Sequence, residues 1–319
     1  MTATSERAKV LYIVGWGRSG STIIDNLLGE TEGFFTAGEL GHLWQRGLIE
    51  GRRCGCGEVL TDCEVWSRAL QAAFGEDYRN TLDVQALVSW RREAVRVRHS
   101  WRLLQHTPGQ PAGTPALDSY ISAVDRLYRA IAATTGARVI VDSTKRPSDA
   151  ALLRLLPNVE AFYLHLVRDP RAVAYSWRRR KAQLDRNRVV DMEAHSPTSS
   201  TVSWLGWNLA AEVLRRRHDA RRSLLLRYED FVARPRPTAQ RIVDLVGESP
   251  ESLPFENDRT VRLGRNHTVS GNPDRFKTGS VNLREDAEWA VKQPRGDRLV
   301  TTMLALPLLR RYGYRLVSS

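Results

Sequence analysis

The chain has no long apolar run: none of its 319 residues falls in a stretch approaching the length of a membrane-spanning helix, so no membrane span is expected. Cysteine is scarce too. Three residues are too few for the disulfide framework of a small secreted scaffold. The apolar segment before Gly15, VLYIV, is too short for a signal-peptide core and reads as a first strand, so a cytoplasmic location is expected. Lysine is rarer than the charge implies, since only five of the 48 basic residues are lysine. That skew reads as GC-rich codon usage as much as a binding surface. The net charge of +12 therefore fits an anionic ligand, and no nucleic-acid partner is expected. What is present is a hydrophobic content of 42%, enough for a substantial core.

Along the chain, strand and helix patterns alternate, which predicts an α/β fold with a parallel sheet flanked by helices in three layers. KVLYIVG leads through GWGRSGST into the helical STIIDNLLGE; GFFTAGEL is a second strand end. Helical periodicity dominates from about 64 to 136, broken by the loop HTPGQPAGTP, and reads as a helical insertion in a single domain spanning residues 1–319. RVIVDSTK, AFYLHLV and SLLLRYEDF supply further strands, and Pro147 and Pro170 sit at the starts of helices, the latter after an Asp169 cap. Residues 185–200 are polar and unpatterned and are expected to form a mobile loop.

In a parallel sheet, ligands bind outside the carboxyl ends of the strands, where GWGRSGST, GEL, DSTK, RDPR and RYED all fall. GWGRSGST has nearly the phosphate-loop spacing, but Ser21 stands where the lysine that reaches a γ-phosphate belongs. Its backbone N–H groups and the following helix N-terminus still make an anion nest, and the Arg18 guanidinium can bind phosphate oxygens bidentately. The alternative is a plain strand-to-helix turn. Arg168 and Ser176, eight residues apart in LVRDPRAVAYS, can grip a second phosphate; otherwise they are a capping arginine and a helix-face serine.

Together, GRSGST, the Arg168/Ser176 pair, RYEDF and HTVSGNPDRFK resemble the sulfotransferases that use 3′-phosphoadenosine 5′-phosphosulfate (PAPS), on a P-loop NTPase-like fold. The resemblance runs from about residue 9 to 290, with 64–136 carrying no motif. It implies a 5′-phosphosulfate loop at Arg18, Ser19, Gly20, Ser21 and Thr22, with Arg18 in place of the usual lysine. It further implies a 3′-phosphate site at Arg168 and Ser176, and Tyr228 near the adenine. Asn272, Arg275 and Lys277 are expected in a closing loop over the donor. The implied reaction moves a sulfuryl group from PAPS to an acceptor hydroxyl, with no metal.

In the resembling enzymes a lysine stabilises charge on the departing bridging oxygen, a role that falls to Lys145 in VDSTKRP. The histidine that serves as base in cytosolic members is replaced here by Pro147. Glu39 takes the base role that bacterial and Golgi-type members give a glutamate, on the expectation that partial burial raises its pKa. Asp142 and His195 stand in reserve, Asp142 alternatively orienting Lys145. Cys54, Cys56 and Cys63 fall one ligand short of a zinc site unless His42 or another group joins, and are expected to be packing thiols. The rival activity is a nucleotide-dependent kinase with Asp142 on Mg²⁺, which the missing lysine disfavours. The acceptor is set by the 64–136 helices and the 185–200 loop, which carry no diagnostic motif. Small-molecule, carbohydrate and lipid hydroxyls stay open, as does the oligomeric state.

Overall fold

A computed structural model describes residues 7–111, 113–179, 181–186 and 190–316. Strand β1 (Ala8–Val14) opens the chain, followed by α1 (Ser21–Gly29) and β2 (Phe34–Gly38). Helices α2 (Glu64–Phe74), α3 (Tyr78–Thr81), α4 (Val84–Ala94), α5 (Ser100–Gln105) and α6 (Pro115–Thr135) fill the stretch before β3 (Val139–Lys145). Then come α7 (Pro147–Leu153), β4 (Val159–Val167), α8 (Pro170–Arg178), the short pair β5 (Ala182–Gln183) and β6 (Val190–Asp191), and α9 (Pro197–Arg216). Strand β7 (Ser223–Arg227) runs into α10 (Tyr228–Ala233) and α11 (Pro235–Leu245). The last elements are β8 (Thr260–Leu263), β9 (Gly279–Asn282), α12 (Glu288–Lys292) and α13 (Arg295–Arg311).

Among the described residues, the central sheet has five strands in the order β2-β3-β1-β4-β7, all parallel. β1 occupies the middle because its run AKVLYIV is apolar on both faces. Its alternate residues point to opposite sides. Val10, Tyr12 and Val14 join Trp44, Leu127, Ile131 and Leu152 in one core layer; Leu11 and Ile13 join Ile24, Leu27, Ile242 and Val243 in the other. A third cluster of Trp16, Val173, Trp204, Leu308 and Leu309 seals α8 and α9 against α13. Burying an aliphatic side chain of this size contributes about 1.5–3 kcal/mol, so β1 is rigidly held and anchors the loop at its carboxyl end.

Local chemistry explains the helix starts. Asp169 Oδ1 accepts the Arg171 backbone N–H at 2.9 Å, with Pro170 at the first helical position of α8. Pro147 and Pro115 likewise open α7 and α6, there without a side-chain cap. The helices expected between 64 and 136 are present, with the break at 106–114. Residues 185–200 differ from the expected loop: Val190–Asp191 pairs antiparallel with Ala182–Gln183, and α9 already starts at Pro197, capped by Ser196, whose hydroxyl accepts the Ser199 N–H. Within that stretch residues 187–189, and before it Arg180, lie outside the described residues.

Candidate active site

The carboxyl ends of β1, β2, β3, β4 and β7 open onto one crevice. Between β1 and α1 the loop turns through Gly20 at φ 89°, directly before Ser21 begins the helix. A Cβ on Gly20 would lie 2.3 Å from the Tyr228 ring, so only glycine lets that ring cover the loop. Ser19 is buried, and its Oγ has no hydrogen-bond partner among the described residues; the same holds for Arg18 Nε. Ser21 is buried and Thr22 half-buried at the first turn of α1. Arg18 lies over Trp177, 4.8 Å from the ring centre, and points Nη2 at Met192 Sδ, 3.3 Å away. Burial lowers the Arg18 pKa. These orphaned donors and the helix N-terminus fit a phosphate or sulfate group.

Arg168 leaves the end of β4 beside this loop. Its guanidinium donates to the Arg18 carbonyl at 3.1 Å, stacks on Tyr228 at 4.6 Å and meets the half-exposed Asp286 at 3.4 Å. Trp204 Nε1 holds the Arg168 carbonyl at 3.1 Å. Ser176 is half-buried on the second turn of α8. The structure thus brings Arg18, Gly20, Arg168 and Tyr228 into contact across three strand ends, with Ser19 inside the same loop.

Lys145, ending β3, sits at φ 71° and donates from Nζ to Glu39 Oε1 at 2.5 Å and to the Ser143 carbonyl at 2.8 Å. Glu39 follows β2, and its other oxygen lies 3.7 Å from both His42 Nε2 and Arg46 Nη1. Among the described residues, Arg18, Lys145 and Ser270 are the non-glycine residues with left-handed φ, and all three border this crevice. Such strain persists where the surroundings over-determine it, typically at functional positions. The expected rise of the Glu39 pKa is not met. Burial does push it up, but Lys145 and Arg46 outweigh that and hold the carboxyl below its ordinary value. Burial, with Arg46 and Arg91 adding to it, drives His42 well below its usual value and leaves it neutral.

Among the described residues, no hydrogen bond or ion pair joins either reserve residue to Lys145 or Glu39. Asp142 is buried, accepting from Tyr128 Oη at 2.6 Å and from the Thr144 hydroxyl and N–H at 2.6 and 2.8 Å; burial lifts it to about 6. It orders Thr144, whose hydroxyl in turn receives the Gly41 N–H at 2.9 Å, while Lys145 is oriented by Glu39 and Ser143. His195 stacks edge-on against Trp177 at 4.5 Å, beside Arg18.

Residues 267–271 run along the free edge of β2. Glu39 N–H donates to the Val269 carbonyl at 2.8 Å, and Ser270 Oγ accepts from Arg46 at 2.8 Å. Farther on, Asn272 caps a short 3-10 turn and meets Lys181 at 2.9 Å. Lys277 is exposed and paired with Asp274 at 2.9 Å. Arg275 is 2% exposed and turned inward, donating to the Thr268 and Arg53 carbonyls. Its guanidinium holds loops together and is not turned to the crevice.

A cleft of about 470 Å³ opens against Gly41 and His42, lined by Arg46, Arg91, Arg92, Arg96 and Arg146. Arg91 is tied to Asp149 at 2.7 Å and Arg92 to Gln45 at 3.2 Å. Sequence reasoning weighed His42 only as a metal ligand and passed over these arginines. The legible signal was the basic cluster Arg91, Arg92 and Arg96 at the end of a helical pattern.

The model of the family described as "Sulfotransferase family" matches residues 11–251. In structure the chain is similar to the sulfotransferase domain from the curacin biosynthetic pathway, at 19% identity and a TM-score of 0.53, covering 98% of this chain and 100% of that one. It is also similar to the sulfotransferase domain from the Synechococcus PCC 7002 olefin synthase, at 18% identity and a TM-score of 0.51, covering 99% of each. No curated protein matches it significantly in sequence. With the family model spanning most of the chain and the parallel sheet and its flanking helices in the matching fold, this protein belongs to the sulfotransferase family of transferase enzymes.

Proposed function

We propose that the protein transfers the sulfuryl group of PAPS to the hydroxyl of an acceptor that also carries negative charge. The observation that carries this reading is the Arg18–Arg168 contact at 3.1 Å, which joins a lysine-less phosphate loop with unpartnered buried donors to a second arginine able to take a further phosphate. The kinase alternative needs Asp142 open to Mg²⁺, whereas its carboxylate is occupied by Tyr128 and Thr144.

In this reading the loop 18–22 and the α1 N-terminus hold the 5′-phosphosulfate. Arg168 and Ser176 take the 3′-phosphate once Asp286 gives way, and Tyr228 flanks the base. Asn272 and Lys277 border the donor from the 267–279 loop. The acceptor oxygen attacks sulfur in line as the sulfur–bridging oxygen bond breaks. Lys145 stabilises the charge left on that oxygen, and Glu39 takes the hydroxyl proton. Moving Lys145 from Glu39 to the donor removes the cation that depresses the carboxyl, so donor binding itself raises the basicity of Glu39. The arginine cleft beside Glu39 receives the acceptor. Four of its lining residues, Val88, Arg91, Arg92 and Val95, come from α4 or the residue after it, which fits a single domain whose 64–136 helices form an acceptor-side insertion. Among the described residues no helix is long and apolar enough to cross a membrane.

The test is thermal stabilisation by 3′-phosphoadenosine 5′-phosphate, ATP–Mg²⁺ and GTP–Mg²⁺. A ligand bound only by the native state raises stability by mass action. The 3′-phosphorylated nucleotide should stabilise most, and without metal; a larger, Mg²⁺-dependent effect of ATP refutes the proposal.

A further inference from the structure

All three cysteines of the chain converge on one histidine from a distant segment. Cys63 Sγ lies 3.2 Å from His267 Nδ1 and Cys54 Sγ 3.9 Å from it, and the ligand atoms of Cys54, Cys56, Cys63 and His267 all lie within 4.8 Å of one another. The fourth group that the sequence left open is therefore His267, not His42. A tetrahedral zinc ion, with Zn–S about 2.3 Å and Zn–N about 2.0–2.1 Å, sets its ligand atoms roughly 3.5–3.8 Å apart, so small side-chain adjustments close the set. Cys54 and Cys63 are fully buried and Cys56 half-buried.

The backbone is shaped for this. Cys54 N–H bonds the Glu58 carbonyl and Gly57 N–H the Cys54 carbonyl, folding Cys54-Gly55-Cys56-Gly57 into a tight knuckle; Cys63 N–H returns to Val59. Gly55 is where the knuckle meets the 266–268 segment: a Cβ there would fall 2.0 Å from Asn266 Oδ1 and 2.8 Å from Thr268 Oγ1. Gly55 N–H donates to the Thr268 carbonyl at 3.0 Å, and Trp66 Nε1 to the His267 carbonyl at 2.7 Å, so His267 is fixed on both sides. Packing thiols need neither a histidine nitrogen aimed among them nor a backbone that brackets it.

We propose that Cys54, Cys56, Cys63 and His267 form a closed four-ligand structural zinc site that clips the 54–63 knuckle to the segment running beside Glu39. Thiolate-rich ligation with one imidazole selects zinc among the common divalent ions, and four protein ligands leave no open position for catalysis. Binding takes the metal from solution and releases the thiol protons, with no change of oxidation state. The ion holds Val269 against Glu39 and Ser270 against Arg46, keeping the wall of the crevice in register. The inference stands whether or not the donor is PAPS, because metal content is read without nucleotide.

Elemental analysis of the full-length protein, purified without chelators, should give about one zinc per chain. Cys56→Ser and His267→Ala should drop this below roughly 0.2. Because a variant can fail to fold, the wild-type protein is also stripped with a chelator and titrated with Co²⁺. A thiolate-to-cobalt charge-transfer band saturating at one equivalent, and a melting temperature that falls by about 10 °C or more on stripping and returns with zinc, are expected. Zinc well below stoichiometry with no cobalt band, stoichiometric iron instead, or a disulfide among the three cysteines overturns the proposal.

Discussion

Asp25 lies on α1, directly after the glycine-rich 15–20 loop, 3% exposed, and burial raises its carboxyl from 3.8 to about 7. A raised acid is neutral in the folded state where it is charged in the unfolded one. Between the two values the folded chain holds the extra proton, so stability falls as pH rises from about 4 to about 7 and levels off above that. At about 1.36 kcal/mol per pH unit, this amounts to about 1 kcal/mol at pH 4.5 and about 4 kcal/mol at pH 8. Asp25→Asn removes the titration and keeps the shape. Any fixed packing effect of the amide shifts all pH values equally. Thermal melts of both proteins across pH 4.5–8 should show the variant gaining stability with pH relative to wild type. At about 2 °C per kcal/mol for a chain of this size, the gain grows by about 6 °C over that range. A difference independent of pH would refute the reasoning, meaning that Asp25 is ionised in the folded protein.

Arg168→Ala should weaken 3′-phosphoadenosine 5′-phosphosulfate binding by about 2–3 kcal/mol and that of adenosine 5′-phosphosulfate far less, by calorimetry; equal losses would make Arg168 purely structural. Lys145→Ala should cut turnover at least about a hundredfold with every acceptor. Glu39→Gln should cost about 10²–10⁴-fold, and less with an acidic phenol than with an alkyl alcohol, while donor affinity stays near wild type; equal slowing of both acceptors excludes Glu39 as base. Since Lys145 depresses the Glu39 carboxyl in the free enzyme, the acid limb of the kcat/KM profile for the donor should move to higher pH in Lys145→Ala, and an unmoved limb argues against the pair. Gly20→Ala should cost about 1–2 kcal/mol from left-handed strain, plus displacement of the Tyr228 ring. In a double-mutant cycle with Tyr228→Ala the two stability losses should be strongly non-additive, and strict additivity would deny the contact.

Much of the frame was legible because local chemistry dictates it. Apolar runs ending in glycine or Asp-Pro fix where strands stop and helices begin, and the parallel order carries Arg18, Lys145 and Arg168 to one edge. What the sequence hid were relations between distant side chains. The sign of the Glu39 pKa depends on Lys145 and Arg46, which approach from β3 and from the turn after β2. His267 becomes the companion of three cysteines only because residues 267–270 lie along β2. Arg275 resembles a surface arginine in its polar loop, yet its guanidinium is buried under backbone carbonyls. The 190–200 stretch lacked periodicity because a two-residue strand shows none, and the serines and threonines that open α9 after Pro197 are poor helix formers.

The 266–271 segment that walls the crevice also dictates when, during synthesis, the enzyme can become an enzyme. The edge of β2 emerges from the ribosome early, but Val269, which pairs with it, arrives only after more than two hundred further residues. Until then the backbone groups beside Glu39 face an unfinished edge, a template for pairing with other chains. The interior strand β1 likewise waits for β3 and β4, whose partners begin at Val139 and Val159. Contacts of such sequence separation make folding slow and leave partly built sheets exposed. Premature termination after β4 but before residue 266 therefore yields a chain that holds the proposed phosphate loop and both proposed catalytic side chains, yet lacks the segment that lines them up.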